Sequence, residues 1–469
     1  MAALIAGAAW FGIGYQPNSS LATSISAPDR PPPPAGALGW LHTTGNRVVD
    51  DRGRTVLLRG FNDDALLSAA FQPAPLDATD AELMRRSGFN VVRLPIAWSL
   101  LEPSRGRIDR AYLDRIVGTV HMLGAHHLRV ILDMHMGIAW GPASEIPSWA
   151  RVPLIPDLKW FPIQHWQDTL SPSQLAGVGY FWISQDWERD FALAWRAVAG
   201  RLRNDPGLAG YDVYNEPHVL PLPPRIFGAE WMWPFYQRIV DAIGSVDPNH
   251  LFIVESTLFG GFPTEISHLH APGLVYSPHF YTGSLIAARG DQAQAIARAL
   301  AERRSEARRL PAVLWIGELG IDHRQPGAPA WTKTVLDDLD RSGTGWAWWQ
   351  WRQDGHWGVR TASGSLHMDV LRRLARPYLV AAPAGVRTGT PGDGVRGTLT
   401  LEVASSHGGQ PALVAWPALT LPPPVVSGAC VLSSAWDHAA ARITLRLAPG
   451  DACQVRISAS PAGPPPSSG

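Results

Sequence analysis

A chain of 469 residues, 46% hydrophobic and 17% charged, has enough apolar mass for one large domain and a smaller second one. Its 40 basic and 40 acidic residues cancel, which excludes the basic stripe of a nucleic-acid binder and the polybasic patch of a protein held on anionic membranes. Cys430 and Cys453 are too few for a zinc ribbon or a disulfide scaffold; an exported chain would bridge them, and a cytosolic one would bury them as small core residues.

Residues 1–36 open with an apolar, small-residue stretch from Met1 to Tyr15, then a polar stretch and the run Pro31 to Pro34. The reading is an export signal or anchor followed by a tether, although no Lys or Arg precedes the apolar run. The expected location is therefore secreted or attached to the cell envelope. The stretch is too short to span a bilayer.

Residues 37–380 carry a repeating pattern. A hairpin between Trp40 and Thr55, with the turn Asp50-Asp51-Arg52-Gly53, is expected to lie as a lid over one end of this domain. Eight short apolar strands then alternate with amphipathic helices. The strands are predicted at Val56–Phe61, Asn90–Leu94, Arg129–Asp133, Tyr211–Tyr214, Leu251–Glu255, Leu274–Ser277, Val313–Ile316 and Gly345–Trp349. The helices between them are predicted at 77–87, 109–123, 186–202, 233–243, 292–309 and 332–341, with a closing helix near 365–374. Eight such units predict a (β/α)8 TIM barrel. A doubly wound sheet would carry a Gly-rich phosphate turn after its first strand, where this chain has Gly60-Phe61-Asn62-Asp63. Residues 381–458 lose the helical period and gain alternating runs such as Gly397–Val403 and Ala441–Leu447, which predict a small β-sandwich. Residues 459–469 are a Pro/Ser/Gly tail, expected to be disordered.

The chemistry is expected at the C-terminal ends of the barrel strands. Those positions read Asn62, Arg93, His135, Asn215 with Glu216, Glu255, His279 with Tyr281, Glu318 and Trp349. The strand bodies are apolar, so a polar or aromatic residue at nearly every strand end is not loop polarity. Glu216 and Glu318 follow strands that face each other across the mouth. Two acids over one cleft are what glycoside hydrolysis needs, one to protonate the leaving oxygen and one to attack or to activate water. In that arrangement Arg93 keeps Glu318 ionised, Tyr281 donates to it, His279 orients Glu216 and Asn215 meets the sugar 2-hydroxyl. Trp349 offers a ring face to the sugar, with Trp348 as the alternative one register away. General acid and nucleophile suffice, so no cofactor and no metal are expected. His121, His126 and His127 lie on a helix and its end without a His-Glu-x-x-His motif.

Asn215-Glu216-Pro217 after strand four, the Glu after strand seven, the Arg after strand two and His279-x-Tyr281 after strand six together resemble glycoside hydrolase family 5, over roughly Leu41 to Tyr378. The resemblance implies Glu216 as acid/base and Glu318 as nucleophile. It also implies Arg93, His135, Asn215, His279, Tyr281 and Trp349 as substrate-binding residues. Within the family, Asn90-Val-Val-Arg-Leu-Pro95, Leu132-Asp-Met-His135, Ser277-Pro-His-Phe-Tyr281 and Arg376-Pro-Tyr378 before a β-sandwich are most similar to endoglycoceramidases, which cleave the glycan–ceramide bond of glycosphingolipids. Two departures, Met136-Gly137 where that group has Gln-Asp and Asp63-Asp64-Ala65 where it has a Lys, imply a headgroup other than the commonest glucose-linked ceramides. The long connection after strand three carries Trp140, Trp149, Trp160, Phe161, Trp166, Tyr180, Phe181 and Trp182 and is expected to wall a cleft for a lipid, continued by Val219 to Phe227. The expected partner is a carbohydrate or glycolipid substrate, with peripheral contact to lipid aggregates and a monomeric chain. The alternatives are an endo-β-glucanase or mannanase on a polysaccharide, and a non-catalytic carbohydrate-binding barrel.

Overall fold

The computed structural model describes residues 21, 24–33, 36–67, 75–136, 145–150, 172–219, 223–257, 269–285, 292–353, 356–361 and 363–460. The expectations for Met1 to Tyr15, for the tail beyond Ser460 and for Trp140, Trp160, Phe161 and Trp166 lie outside these residues.

The chain begins with a hairpin, β1 (Leu41–Thr44) and β2 (Arg47–Asp50), and the short β3 (Thr55–Val56). Asp50 shapes the turn into β3: its carboxylate accepts from the backbone N–H groups of Arg52 and Arg54 and pairs with the Arg54 guanidinium at 2.7 Å. Eight parallel strands then close into a barrel: β4 (Arg59–Asn62), β5 (Val91–Ile96), β6 (Arg129–Met134), β7 (Leu208–Asp212), β8 (Leu251–Val254), β9 (Leu274–Tyr276), β10 (Val313–Leu319) and β11 (Gly345–Trp348). Because helices cover the outside and side chains fill the inside, both strand faces are buried, and the strands read as near-continuous apolar runs.

The helices obey their local signals. Asp77 caps the helix Ala78–Arg86 in a reciprocal capping box with Asp80, and Asp109 caps Arg110–Ala125 by accepting from the Tyr112 N–H. Gly60 marks a close approach within the barrel. A β-carbon there would stand 1.7 Å from the Val91 carbonyl oxygen, so β4 lies against β5 only with glycine at this place.

Four predicted strands need correction, and one is the seventh, which runs on to Leu319 and so holds Glu318 within the strand rather than after it. Val56–Phe61 is not one strand: Val56 pairs with Ala381, the Leu57 N–H donates to the Val380 oxygen, and the barrel strand starts at Arg59. The fourth strand ends at Asp212, two residues before Tyr214, because the chain must turn to set Asn215 and Glu216 over the mouth. The second strand runs on to Ile96, which places Arg93 inside the barrel rather than at a strand end.

After the barrel come β12 (Tyr378–Ala382), β13 (Val386–Thr388), β14 (Thr398–Val403), β15 (Ala412–Ala415), β16 (Pro424–Ser427), β17 (Val431–Asp437), β18 (Arg442–Leu447) and β19 (Cys453–Ala459). They form two antiparallel sheets, β13-β14-β19-β16 and β1-β2-β3-β12-β15-β18-β17, around Leu399, Leu401, Val414, Trp416, Ile443, Val455 and Ile457. The larger sheet takes up β1 to β3, so a boundary at residue 381 does not separate the units: the sandwich starts at Tyr378 and includes the opening hairpin. That hairpin also seals the lower end of the barrel, where Leu41 and Val48 pack with Ile131, Leu251, Val275 and Trp315. Cys430 and Cys453 are bonded, with Cα atoms 6.1 Å apart, and so tie the start of β17 in one sheet to the start of β19 in the other.

Candidate active site

The site grows from one buried cation. Arg93 on β5 is fully enclosed, and its fork is used in every direction. Nη1 donates to Glu318 Oε1 at 2.6 Å and to Asn62 Oδ1 at 3.0 Å. Nη2 donates to Glu255 Oε1 at 2.7 Å and to Asn215 Oδ1 at 3.0 Å, and Nε donates to Asp212 Oδ2 at 2.8 Å. Asp133 Oδ1 lies 3.1 Å from Nη2. Burial disfavours the guanidinium charge, but Asp133, Asp212, Glu318 and Glu255 outweigh it and hold the proton firmly. Asp212 is pushed well above the usual carboxylate range by burial and by the Glu255 charge.

Above this layer sit Glu216, Glu318 and His279, with one donor atom of each within 4.8 Å of the others. His279 Nδ1 is 2.8 Å from Glu216 Oε1 and 3.3 Å from Glu318 Oε2, and its Nε2 is 3.2 Å from Glu255 Oε2. The Tyr281 hydroxyl donates to Glu318 Oε2 at 2.9 Å. Glu216 has a φ of +45°, a left-handed conformation that a side chain rarely adopts. Its N–H is held by Glu255 Oε2 at 2.8 Å and its carbonyl by His218 Nδ1 at 2.9 Å, so the surroundings fix the strained backbone that aims the carboxylate inward.

The electrostatics follow from this packing. Burial lowers the His279 imidazole, but Glu255, Glu318 and the hydrogen bond to Glu216 override it and keep the ring charged. Burial raises the Glu216 carboxyl, and the His279 hydrogen bond and charge more than reverse that rise. Burial leaves Glu318 above its ordinary value, with His279 and Arg93 pulling it down and the Glu216 charge pushing it up. The Glu216 and Glu318 values therefore depend on each other.

The aromatic wall has its own order. Trp348 is buried in the core, whereas Trp349 is half-buried and stacks on His135 with ring centroids 5.7 Å apart and planes 13° off parallel. His135 Nδ1 is 2.8 Å from Asp133 Oδ2. Burial opposes the charged ring, yet Asp133 pushes its pKa up to about 9. Beside it Asp64 is lifted by burial to about 6 while its carboxylate accepts from Gln350.

The eight expected residues Arg93, His135, Asn215, Glu216, His279, Tyr281, Glu318 and Trp349 thus belong to one connected cluster. Sequence reasoning did not select Asp212, Asp64 or Gln350. Asp212 had a signal, a lone acid inside an apolar strand. Asp64 and Gln350 lie just past strand ends, where a polar residue is unremarkable. Two expected lining aromatics, Phe181 and Trp182, are instead core residues that pack on Tyr214 and Phe235. Val219 and Phe227 are likewise buried, while Tyr180, Ile183 and Ile226 are exposed.

Comparison with known proteins gives this cluster its context. The family model for cellulase (glycosyl hydrolase family 5) matches residues 49–355. The chain belongs to glycosyl hydrolase family 5. Endoglycoceramidase I of Rhodococcus hoagii (strain 103S) is 30% identical over 392 residues, covering 74% of this chain and 73% of that one. The structure of endo-glycoceramidase II from Rhodococcus sp. in its ganglioside GM3 complex superposes with a TM-score of 0.77 at 25% identity, over 89% of this chain and 100% of that one. The lactosyl-enzyme intermediate of the same enzyme gives 0.76 at 26% identity, over 88% and 99%. As a family 5 member this chain is a glycoside hydrolase, and the barrel mouth described above is where such chemistry is housed.

Proposed function

We propose that this chain cleaves the β-glycosidic bond between glycan and ceramide in glycosphingolipids, with retention of configuration. The observation that carries the reading is the closeness of Glu216 and Glu318, with carboxylate oxygens within 4.8 Å across one cleft. Retaining glycosidases hold their two carboxyl groups about 5–5.5 Å apart, whereas inverting ones leave roughly 6.5–9.5 Å for a water. The glycolipid substrate is supported by the likeness to endoglycoceramidases over most of both chains.

Glu318 attacks the anomeric carbon while Glu216 protonates the departing ceramide oxygen. A glycosyl ester on Glu318 forms and the glycosidic C–O bond breaks. Glu216, now a carboxylate, then takes a proton from water, which attacks the ester and releases the sugar with its original anomeric configuration. His279 Nδ1, 2.8 Å from Glu216 Oε1, is placed to share the proton of the first step with it. When Glu216 carries it, the charge that lifts Glu318 is gone, and Arg93 and Tyr281 hold the nucleophile ionised. Asn215, anchored through its oxygen by Arg93, has its amide N–H groups left for the sugar 2-hydroxyl. Trp349 and His135 supply the flat wall of the sugar pocket, and Asp64 takes the part of hydroxyl acceptor where a Lys was expected.

Peripheral contact with lipid aggregates falls to the exposed Tyr180, Ile183 and Ile226. Export is supported by the bond between Cys430 and Cys453, since such bonds persist in oxidising compartments. The test is incubation with glucosyl, galactosyl and oligosaccharyl ceramides beside soluble β-glucans. Release of intact glycan and ceramide supports the reading, and turnover confined to β-glucan overturns it.

A further inference from the structure

A cavity of about 870 Å³ lies at the end of the barrel away from the carboxylate pair, between the strand starts, the opening hairpin and the sandwich. Its size falls within the roughly 300–1,000 Å³ of small-molecule sites. The floor is apolar, formed by Val48, Leu58, Ile253, Val275 and Trp315, and the sandwich adds Leu379, Val386 and Leu399.

The charge of its wall is lopsided. Arg47, Arg59, Arg304, Arg308, Arg341 and Arg387 line it against the single acid Asp340, in a chain with equal numbers of basic and acidic residues. Asp340 is taken by Arg59 at 2.7 Å, and Glu402 pairs with Arg387 at 2.6 Å. Arg304 and Arg341 share Asp338. Arg47 and Arg308 have no acidic partner among the described residues. The Nε of Arg304 is enclosed without a hydrogen-bond acceptor, and the crowding of Arg341 and Arg308 adds to burial in disfavouring its charge. Like charges crowded around an apolar recess are stabilised by an anion whose remainder is greasy.

We propose that this cavity binds a single-chain anionic amphiphile, a long-chain carboxylate in type. Its chain lies along the half-buried Val56, Leu314 and Ala382 of the cavity wall, and its head sits between Arg47 and Arg308. The site is separate from the barrel mouth and does not depend on the substrate assigned there.

The test is isothermal titration of the full chain with dodecanoate below its micelle concentration, with decanol as the uncharged control. The expected result is one saturable site for dodecanoate and at least tenfold weaker binding of decanol. Arg47→Glu combined with Arg308→Glu should weaken dodecanoate binding at least tenfold, as should Ala382→Trp, which puts an indole into the cavity from its half-buried wall. Both variants should keep the parent glycosidase activity. If Ala382→Trp does not fold, the double arginine variant, altered only at exposed side chains, decides alone. Absent binding, equal binding of decanol, or unchanged dodecanoate affinity in the folded double variant would overturn the proposal.

Discussion

At the scale of single residues, two chemically identical side chains do different work. Glu318 is gripped by Arg93 and Tyr281, which suits the nucleophile of the proposed mechanism, and Glu216 is paired with His279, which suits its acid/base. Glu318→Gln should lose about four orders of magnitude or more in kcat on every substrate while its melting temperature stays near that of the parent. Glu216→Gln should lose comparably on a ceramide glycoside but much less on a glycosyl fluoride, whose leaving group needs no proton. Steady-state kinetics on both substrates check the assignment, and the reverse pattern would exchange the two roles. A second residue-scale prediction concerns His135. Asp133 holds its folded pKa near 9, above the ordinary 6.5. The stability this supplies is complete below pH 6.5 and drains away as pH rises through 9. It amounts to roughly 3 kcal/mol at most. Urea unfolding from pH 6 to 9.5 should fall more steeply for the parent than for His135→Gln, and parallel curves would refute the pairing.

At the scale of elements, close contact rather than propensity decides. Gly60→Ala brings a β-carbon against the Val91 carbonyl, and it should cost roughly 3 kcal/mol or prevent folding. A chemical-denaturation midpoint equal to the parent's would mean that β4 and β5 are less tightly placed. The same contrast explains what could be read in the sequence. The helix Ala78–Arg86 was legible from its amphipathic period, and the capping box of Asp77 and Asp80 fixes where it starts. The apolar runs located all eight barrel strands because both faces of each are buried. Their limits were less legible. In the run Val56 to Phe61 the backbone passes from an antiparallel partner to a parallel one, and although Arg59-Gly60 interrupts the apolar residues there, only tertiary pairing shows that a new strand starts at Arg59. Phe181 and Trp182 looked like cleft residues because composition does not tell a ring facing a ligand from a ring facing Phe235.

At the scale of the whole molecule, the sandwich is built into the barrel. The Arg442 guanidinium donates to the Gly88 and Phe89 carbonyls, the Tyr378 hydroxyl also reaches Gly88, and Arg59 lies over the Tyr378 ring at 4.4 Å. That integration was invisible in the sequence, where the change of texture near residue 381 reads as a simple border. The site was more legible than the architecture around it, since Asn215-Glu216-Pro217 and Glu318 announce themselves locally, whereas the sheet shared by Val56 and Ala381 depends on residues more than three hundred positions apart. The sandwich has its own brace: the Cys430–Cys453 bond closes a separation of 23 residues. Cys453→Ala should lower stability by about 3 kcal/mol in thermal unfolding of the oxidised protein and leave kcat unchanged, and a fall in kcat in the folded variant would tie the sandwich to the chemistry. The claim on which the rest turns is that Glu216 and Glu318 act on opposite sides of one anomeric carbon by double displacement. Proton NMR of the sugar released from an aryl β-lactoside, recorded before mutarotation, tests it most directly. The β-anomer should appear first, and an initial α-anomer would contradict it.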